Sequence, residues 1–114
     1  MPDRIEEFHA HVYYELADRQ RAATLRAAIE ERWTVRMGRW WDRPIGPHPM
    51  PSYQVAFAPE LFGEIVPWLA LNRDGLDIFV HPNTGDDIPD HTSHVMFLGR
   101  SYELDLDALR RPLE

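Results

Sequence analysis

Residues 7–14 alternate between two kinds of side chain, and this alternation constrains the fold more than any other feature of the chain. The side chains fall into two sets: Phe8, Ala10 and Val12 on one side of an extended backbone, and His9, His11 and Tyr13 on the other. A period of two is typical of a half-buried β-strand, whose apolar face covers a core. The chain therefore predicts a first strand that carries histidines on the face turned away from that core.

Helical and extended patterns follow in turn. Residues 18–32 are rich in Ala, Arg, Gln and Glu, with apolar residues at helical spacing, and predict an amphipathic helix. Residues 33–41 alternate again and predict a second strand, in which Gly38 is a candidate β-bulge. The proline-rich residues 44–51 predict a stiff loop, and residues 53–57 predict a third, short strand.

A second helix is predicted to open at Pro59, with apolar residues on one face. Pro67 lies inside this helix and should kink it or divide it into two short helices, because proline lacks a backbone donor. Asn and Gly in residues 72–75 predict its end. Residues 76–81 predict a fourth strand.

The predicted order is strand, helix, strand, strand, helix, strand, which is typical of a ferredoxin-like split βαβ sandwich of the α+β class. Two helices would cover one face of an antiparallel sheet. Residues 95–98 predict a possible fifth strand, and Asp107 is expected to cap a short turn containing Leu109. All 114 residues are expected to form one domain, with a core at about 7–99 and a tail at 100–114.

Composition excludes several classes of function. The chain has no cysteine, which removes thiolate ligands, iron–sulfur clusters and disulfides, so any metal must be held by nitrogen and oxygen. A formal net charge of −7 argues against a nucleic-acid partner, which requires clustered Lys and Arg. The acidic start and the absence of a long apolar run predict a cytoplasmic protein with no membrane segment.

Four histidines are expected to meet on one sheet face. Alternation in the fourth strand places His81 on the same face as His9 and His11, and this strand should run antiparallel beside the first. The third strand is expected to run parallel to the first, which would bring the loop with His48 to the end where the first strand begins. Imidazole is the commonest protein metal ligand, so these four histidines are candidate ligands.

Other residues are candidates for the chemistry around such a metal. His91 could fold back over the site in a lid formed by the turn-rich segment after the fourth strand, whereas His94 is expected to be incidental. Tyr13 could line a pocket for a planar substrate. Arg36 and Arg39 could bind a substrate carboxylate. Each of these residues, taken alone, also fits an ordinary hydrogen-bonded or exposed side chain.

Together, these strings resemble the DOPA 4,5-dioxygenase-like aromatic ring-cleaving dioxygenases. The matching positions are His9, His11 and Tyr13 (HxHxY), Gly46 to Pro49 (GPHP), Ser52 and Tyr53, Val80 to Thr84 (VHPxT), and Asp90 and His91. The resemblance implies extradiol-type cleavage of a DOPA-like catechol by O₂ at a non-haem Fe(II) centre on a ferredoxin-like scaffold. Zinc or nickel could replace the iron in a crystal.

Extradiol chemistry needs three protein ligands on one side of the ion, together with an acid–base group. Which of the four candidate histidines is not a ligand stays open, and His91 is the candidate acid–base residue. A carboxylate from Glu15, Asp77 or Asp90 could replace one histidine. A homodimer is expected. Two other functions remain open: a metal-free monooxygenase-type enzyme of the same fold, and a non-catalytic module that binds metal or a small molecule.

Overall fold

The first strand, β1, lies in the middle of a five-stranded antiparallel sheet in the computed structural model, which describes residues 4–110. The strands are β1 (Glu7–Tyr13), β2 (Arg36–Met37), β3 (Ser52–Phe57), β4 (Asp77–Asn83) and β5 (Met96–Leu98). The helices are α1 (Arg19–Arg32), α2 (Phe62–Asn72) and the short α3 (Asp87–Asp90). Single 3-10 turns lie at Leu16–Asp18, Pro59–Leu61 and Leu106–Arg110.

The strand order β2-β3-β1-β4-β5 is that of two split βαβ units with a fifth strand added at one edge. The predicted α+β class is therefore confirmed, and so is the fifth strand. The predicted direction of the third strand is wrong, because β3 runs antiparallel to β1, with Tyr13 opposite Ser52 and Phe8 opposite Phe57. A helical crossover makes β1 and β2 parallel, so the strand between them must oppose both. The loop before β3 consequently joins the sheet where β1 ends.

The core lies between the sheet and the two long helices. Leu25 and Ile29 of α1 and Ile65 of α2 are buried against the apolar face of β1, as their helical spacing predicts. Each such side chain contributes about 1.5–3 kcal/mol by leaving water. Helix α2 continues through Pro67, so of the two expected effects of this proline, a kink or a division into two helices, the division did not occur.

Strand β2 is much shorter than the predicted residues 33–41. It pairs with β3 at Arg36 and Met37, and pairing resumes only at Trp41, which bridges Ser52. Three residues, 38–40, therefore face two on β3, which is the count of a β-bulge and agrees with the prediction at Gly38. A side chain at Gly38 would lie 3.1 Å from Cβ of Gln54, so the backbones approach closely there.

Loops cover the sheet face that the helices leave open. Cavities on this face are lined by residues 45–48, 87–92 and 102–106, and the backbone N–H of Asp105 donates to the carbonyl of Pro47 at 2.9 Å. Asp107 lies inside the last 3-10 turn, instead of capping it as predicted. Within residues 4–110, the helices are too short and too polar to cross a bilayer.

Candidate metal centre

Three histidines meet at the centre of the loop-covered face. His9 of β1 lies directly opposite His81 of β4, and His11 lies one pleat further along β1. Nitrogen atoms of the three rings lie within 4.8 Å of one another, and the Nε2 atoms of His11 and His81 are 3.1 Å apart. Two imidazole nitrogens that bind one ion at about 2.1 Å lie about 3.0–3.4 Å apart for right-angled to tetrahedral geometry. The spacing of this pair fits neighbouring ligands of a single metal.

The outer hydrogen bonds of these rings fix which nitrogen is free to bind. Nδ1–H of His81 donates to the carbonyl of Pro82 at 2.8 Å, so its Nε2 carries the lone pair. Nε2–H of His9 donates to Oε1 of Glu7 at 3.0 Å, which leaves the lone pair on Nδ1. Metal-binding histidines are usually oriented in this way by a carbonyl or a carboxylate.

Glu7 is held as an anion beside His9. The hydrogen bond from His9 lowers the pKa of Glu7; burial opposes this, and Arg36, which donates to the same carboxylate at 2.9 Å, lowers it further. An ionised Glu7 accepts the Nε2–H of His9, so the lone pair of that ring stays on Nδ1.

His11 is nearly enclosed, at 5% exposure, and stays neutral. Burial, reinforced by the nearby His48 and His81, holds the pKa of His11 well below its ordinary value. A proton or a cation must lie between Nε2 of His11 and Nε2 of His81 for the two atoms to be 3.1 Å apart without repulsion. The arrangement therefore suits a metal ion, whose ligands must be deprotonated imidazoles.

His48 packs on this group but faces a different partner. Its ring centroid lies 4.1 Å from that of His11, and its Nδ1 is 2.8 Å from the Tyr13 hydroxyl. Burial raises the pKa of Tyr13, so the hydroxyl keeps its proton and shares one hydrogen bond with Nδ1 of His48. Burial, with the neighbouring His91 and His81, lowers the pKa of His48 to about 3, so the ring is neutral. Among residues 4–110, the group whose ligand nitrogens lie within 4.8 Å of one another consists of His9, His11 and His81, and His48 lies outside it.

His91 lies over the centre, on the opposite side from the sheet. It follows α3, and its ring centroid is 4.2 Å from that of His81. Nδ1–H donates to the carbonyl of Asp87 at 2.7 Å, so the lone pair is on Nε2. The structure thus brings His91 back over the sheet, as the sequence predicts, with a basic nitrogen available.

Two adjoining cavities open beside these rings. The first, of about 190 Å³, is lined by the five clustered histidines and by Gln54, Asn83 and α3. The second, of about 330 Å³, extends towards Arg39 and Trp41 and shares His11, His48 and Gln54 with the first. A molecule in the larger cavity could therefore reach the histidines.

The two candidate arginines have different surroundings. Arg39 lines the larger cavity and packs on the ring of Trp41, 4.6 Å from its centroid. The side chain of Arg36 is 71% exposed and pairs with Glu7. Arg36 therefore contacts Glu7 and lines neither of the two cavities.

The carboxylates considered as ligands are engaged elsewhere. Asp77 accepts hydrogen bonds from the backbone of Arg100 and from the Tyr102 hydroxyl. Asp90 accepts from Thr84 and from His94, and Glu15 lines a different cavity. His94 itself lies outside the histidine cluster.

Two site residues escaped the sequence interpretation, although alternation could have found both. Glu7 is two residues before His9 and so shares its face of β1. Gln54 lies opposite His11 on β3, between the core residues Tyr53 and Val55, and therefore points to the histidine face.

This fold and site define a class of small α+β proteins in which paired strands of an antiparallel sheet carry a three-histidine centre. More specifically, the chain belongs to the Dopa 4,5-dioxygenase family, whose profile it matches over residues 8–108.

Individual relatives agree with this assignment. The chain is 52% identical to a candidate dioxygenase from Nostoc punctiforme whose crystal structure superposes with a TM-score of 0.91, over 93% of this chain and 92% of that one. It is 32% identical to DOPA 4,5-dioxygenase of Amanita muscaria, over 93% of this chain and 50% of that protein. It is 36% identical to an uncharacterized 21.2 kDa protein of Botryotinia fuckeliana, over 91% of this chain and 63% of that protein. The chain thus spans between half and two thirds of the length of these two fungal relatives.

Proposed function

We propose that the protein opens the ring of a DOPA-like catechol with O₂, in extradiol fashion, at an Fe(II) ion bound by His9, His11 and His81. The observation that carries this proposal is the 3.1 Å spacing of the His11 and His81 Nε2 atoms, in rings whose hydrogen bonds favour metal binding. Three protein ligands on one side of the ion leave its other coordination positions open for substrate and O₂, which is the pattern of non-haem iron oxygenases. When bound there, Fe(II) would supply the redox chemistry that lets O₂ react with a catechol.

His91 is the proposed acid–base residue. Its Nε2 lone pair lies above the three-histidine centre, where it can take the proton of a catechol hydroxyl. The resulting imidazolium can then return this proton to a product oxygen. The hydrogen bond from Nδ1 to the Asp87 carbonyl holds the ring in the required tautomer.

His48 has a different proposed role. In this role the Tyr13 hydroxyl donates to Nδ1 of His48, and Nε2–H of His48 donates a hydrogen bond to an oxygen that gains negative charge. A neutral imidazole is suited to this task because it needs no change of charge during the reaction. Tyr13 thus supports His48, where the sequence suggested direct contact with substrate.

The larger cavity is the proposed site of the substrate's side chain. Arg39 at its wall can form a bidentate pair with a carboxylate, and Gln54 can donate or accept a hydrogen bond between the two cavities. Both residues would then select the substrate without taking part in ring opening.

Reconstitution tests the proposal directly. The protein is loaded anaerobically with Fe(II), mixed with catechols that carry different side chains, and exposed to ¹⁸O₂. We expect O₂ uptake, a yellow ring-opened product, and two labelled oxygen atoms in that product when its aldehyde is reduced before it exchanges oxygen with water. A zinc-loaded sample is the matched control and should be inactive, since zinc has no redox chemistry.

The other two functions give different results in the same experiment. A metal-free monooxygenase would consume O₂ equally well after chelation, and it would place a single labelled atom in its product. A binding module would take up metal or catechol without consuming O₂. Either result would refute the dioxygenase proposal.

The expected homodimer and cytoplasmic location remain predictions. Light scattering in solution tests the dimer.

A further inference from the structure

Asp90 is the most enclosed charged residue among those that the structure describes, at 1% exposure. Its Oδ2 accepts from the backbone N–H of Thr84 at 2.8 Å. Its Oδ1 accepts from the Thr84 hydroxyl at 2.8 Å and from Nδ1–H of His94 at 3.0 Å. A buried carboxylate that receives three hydrogen bonds is strongly held, because each lost bond would leave charge unpaired away from water.

These bonds tie together the two ends of the segment that carries His91. Thr84 directly follows β4, and His94 lies just before β5, so Asp90 joins the start and the end of the loop between the two strands. His91 lies inside this closed loop, next to Asp90. Its ring orientation depends on the Asp87 carbonyl, which belongs to the same short helix, α3.

We propose that Asp90, Thr84 and His94 form a clamp that positions His91 over the three-histidine centre. Asp90 is a positioning residue: both of its oxygens are occupied by the clamp, and it acts only through His91. His94, which was expected to be incidental, would serve as the donor that completes the clamp. The inference rests on the proposed function only for the consequence that loosening His91 lowers the rate.

Nitrogen NMR of the histidine rings tests the clamp without any turnover. In the zinc-loaded wild type, we expect the NMR signals of His91 to show one tautomer, with the proton on Nδ1. Asp90→Asn and His94→Ala should shift His91 towards an average of both tautomers, and amide hydrogen exchange in residues 84–94 should become faster. An unchanged His91 signal in both variants would overturn the proposal.

Matched variants separate the clamp from general damage. His94→Asn places an amide donor near the position of Nδ1 and should restore the His91 signal that His94→Ala loses. Thr84→Val removes a hydroxyl from the clamp, whereas Thr24→Val removes a hydroxyl that donates to Gln20 in α1, on the other side of the sheet. We expect Thr84→Val to change the His91 NMR signal and Thr24→Val to leave it unchanged. If Asp90→Asn does not fold, two comparisons still test the clamp: His94→Ala with His94→Asn, and Thr84→Val with Thr24→Val.

Activity adds a second test. Asp90→Asn should lower kcat about 10-fold to 100-fold, the usual range for residues that orient a functional group, while changing metal affinity less than threefold. In a His91→Ala background, the same substitution should change kcat less than twofold, because the group it positions is gone. An equal loss in both backgrounds would overturn the clamp. If the wild type opens no catechol ring, the proposed function fails, and the NMR result alone decides the clamp.

Discussion

The Nε2 atoms of His11 and His81 lie 3.1 Å apart, although 70 residues separate the two histidines in the chain. Pairing of β1 with β4 places the rings on the same sheet face, and the bond from His81 to the Pro82 carbonyl turns its lone pair towards His11. The contact is therefore set by strand register and by one backbone carbonyl.

Metal binding should depend on this pair. Replacing His11 or His81 by Ala removes one of three ligands and should weaken the binding of Fe(II) or Zn(II) at least 100-fold, measured by calorimetric titration. His94→Asn is the matched control and should bind metal as the wild type does. Unchanged affinity in His11→Ala would refute the assignment of the centre.

Glu7→Gln should weaken metal binding about 10-fold to 100-fold, because the carboxylate that orients His9 is lost. Arg36→Gln, which removes the exposed partner of the same carboxylate, should change affinity less than threefold. If the two variants behave alike, Glu7 does not act by orienting His9.

Tyr13→Phe should lower kcat about 10-fold or more with little change in metal affinity, because Nδ1 of His48 loses its donor. It should also lower the free energy of unfolding by about 1–3 kcal/mol, the usual cost of an unpaired buried polar group. Tyr14→Phe is the matched control, since the Tyr14 hydroxyl donates to Asp42 on the far side of β1. We expect the control to alter stability in urea denaturation and to leave kcat unchanged; a loss of kcat in both would point to a general effect.

Stability of the metal-free protein should fall steeply in mild acid. The pKa of His48 is lowered to about 3 and that of His81 to about 4. Because the ordinary pKa of histidine is 6.5, both rings bind a proton more readily in the unfolded chain than in the folded protein. The stabilisation is complete above pH 6.5 and is lost as pH falls from 6.5 through the folded-state pKa values, about 4 for His81 and about 3 for His48. Each group contributes up to about 1.4 kcal/mol per pH unit within that window.

Urea denaturation at several pH values between 7.5 and 4.5 measures this slope. His48→Gln should reduce the slope, because one titrating group is removed, whereas Gln54→Ala in the same cavity should leave it unchanged. A free energy of unfolding that stays level from pH 7.5 to 5 would contradict the buried, neutral state of these rings.

Sequence periodicity predicted most of the fold, because each element follows a local rule. The alternation in β1, the helical spacing in α1 and the apolar pattern of α2 all correspond to buried faces of the structure. The length of β2 was not predictable in this way, since the bulge at residues 38–40 depends on how closely β3 approaches. Strand direction was predicted incorrectly for β3, because the helical crossover, and no local pattern, determines it.

The site was predictable in part for the same reason. Alternation alone placed His9, His11 and His81 on one face. The expected path for His48 was wrong, yet its ring still reaches His11, because the proline-rich loop folds back across the sheet from the end of β1. The tautomers of His48, His81 and His91 depend on a tyrosine hydroxyl and on backbone carbonyls, which no sequence pattern reveals.

The seven residues of β1 supply the core on one face and the centre on the other. A substitution on one face of β1 can therefore occur without changing the other face, whereas an insertion or a deletion changes both. Adding or removing one residue within β1 would turn its histidines into the apolar interior and expose Phe8 and Val12 to the cavity. We therefore expect relatives of this protein to tolerate changes of length in the loops that carry none of the clustered histidines, and none between Glu7 and Tyr13.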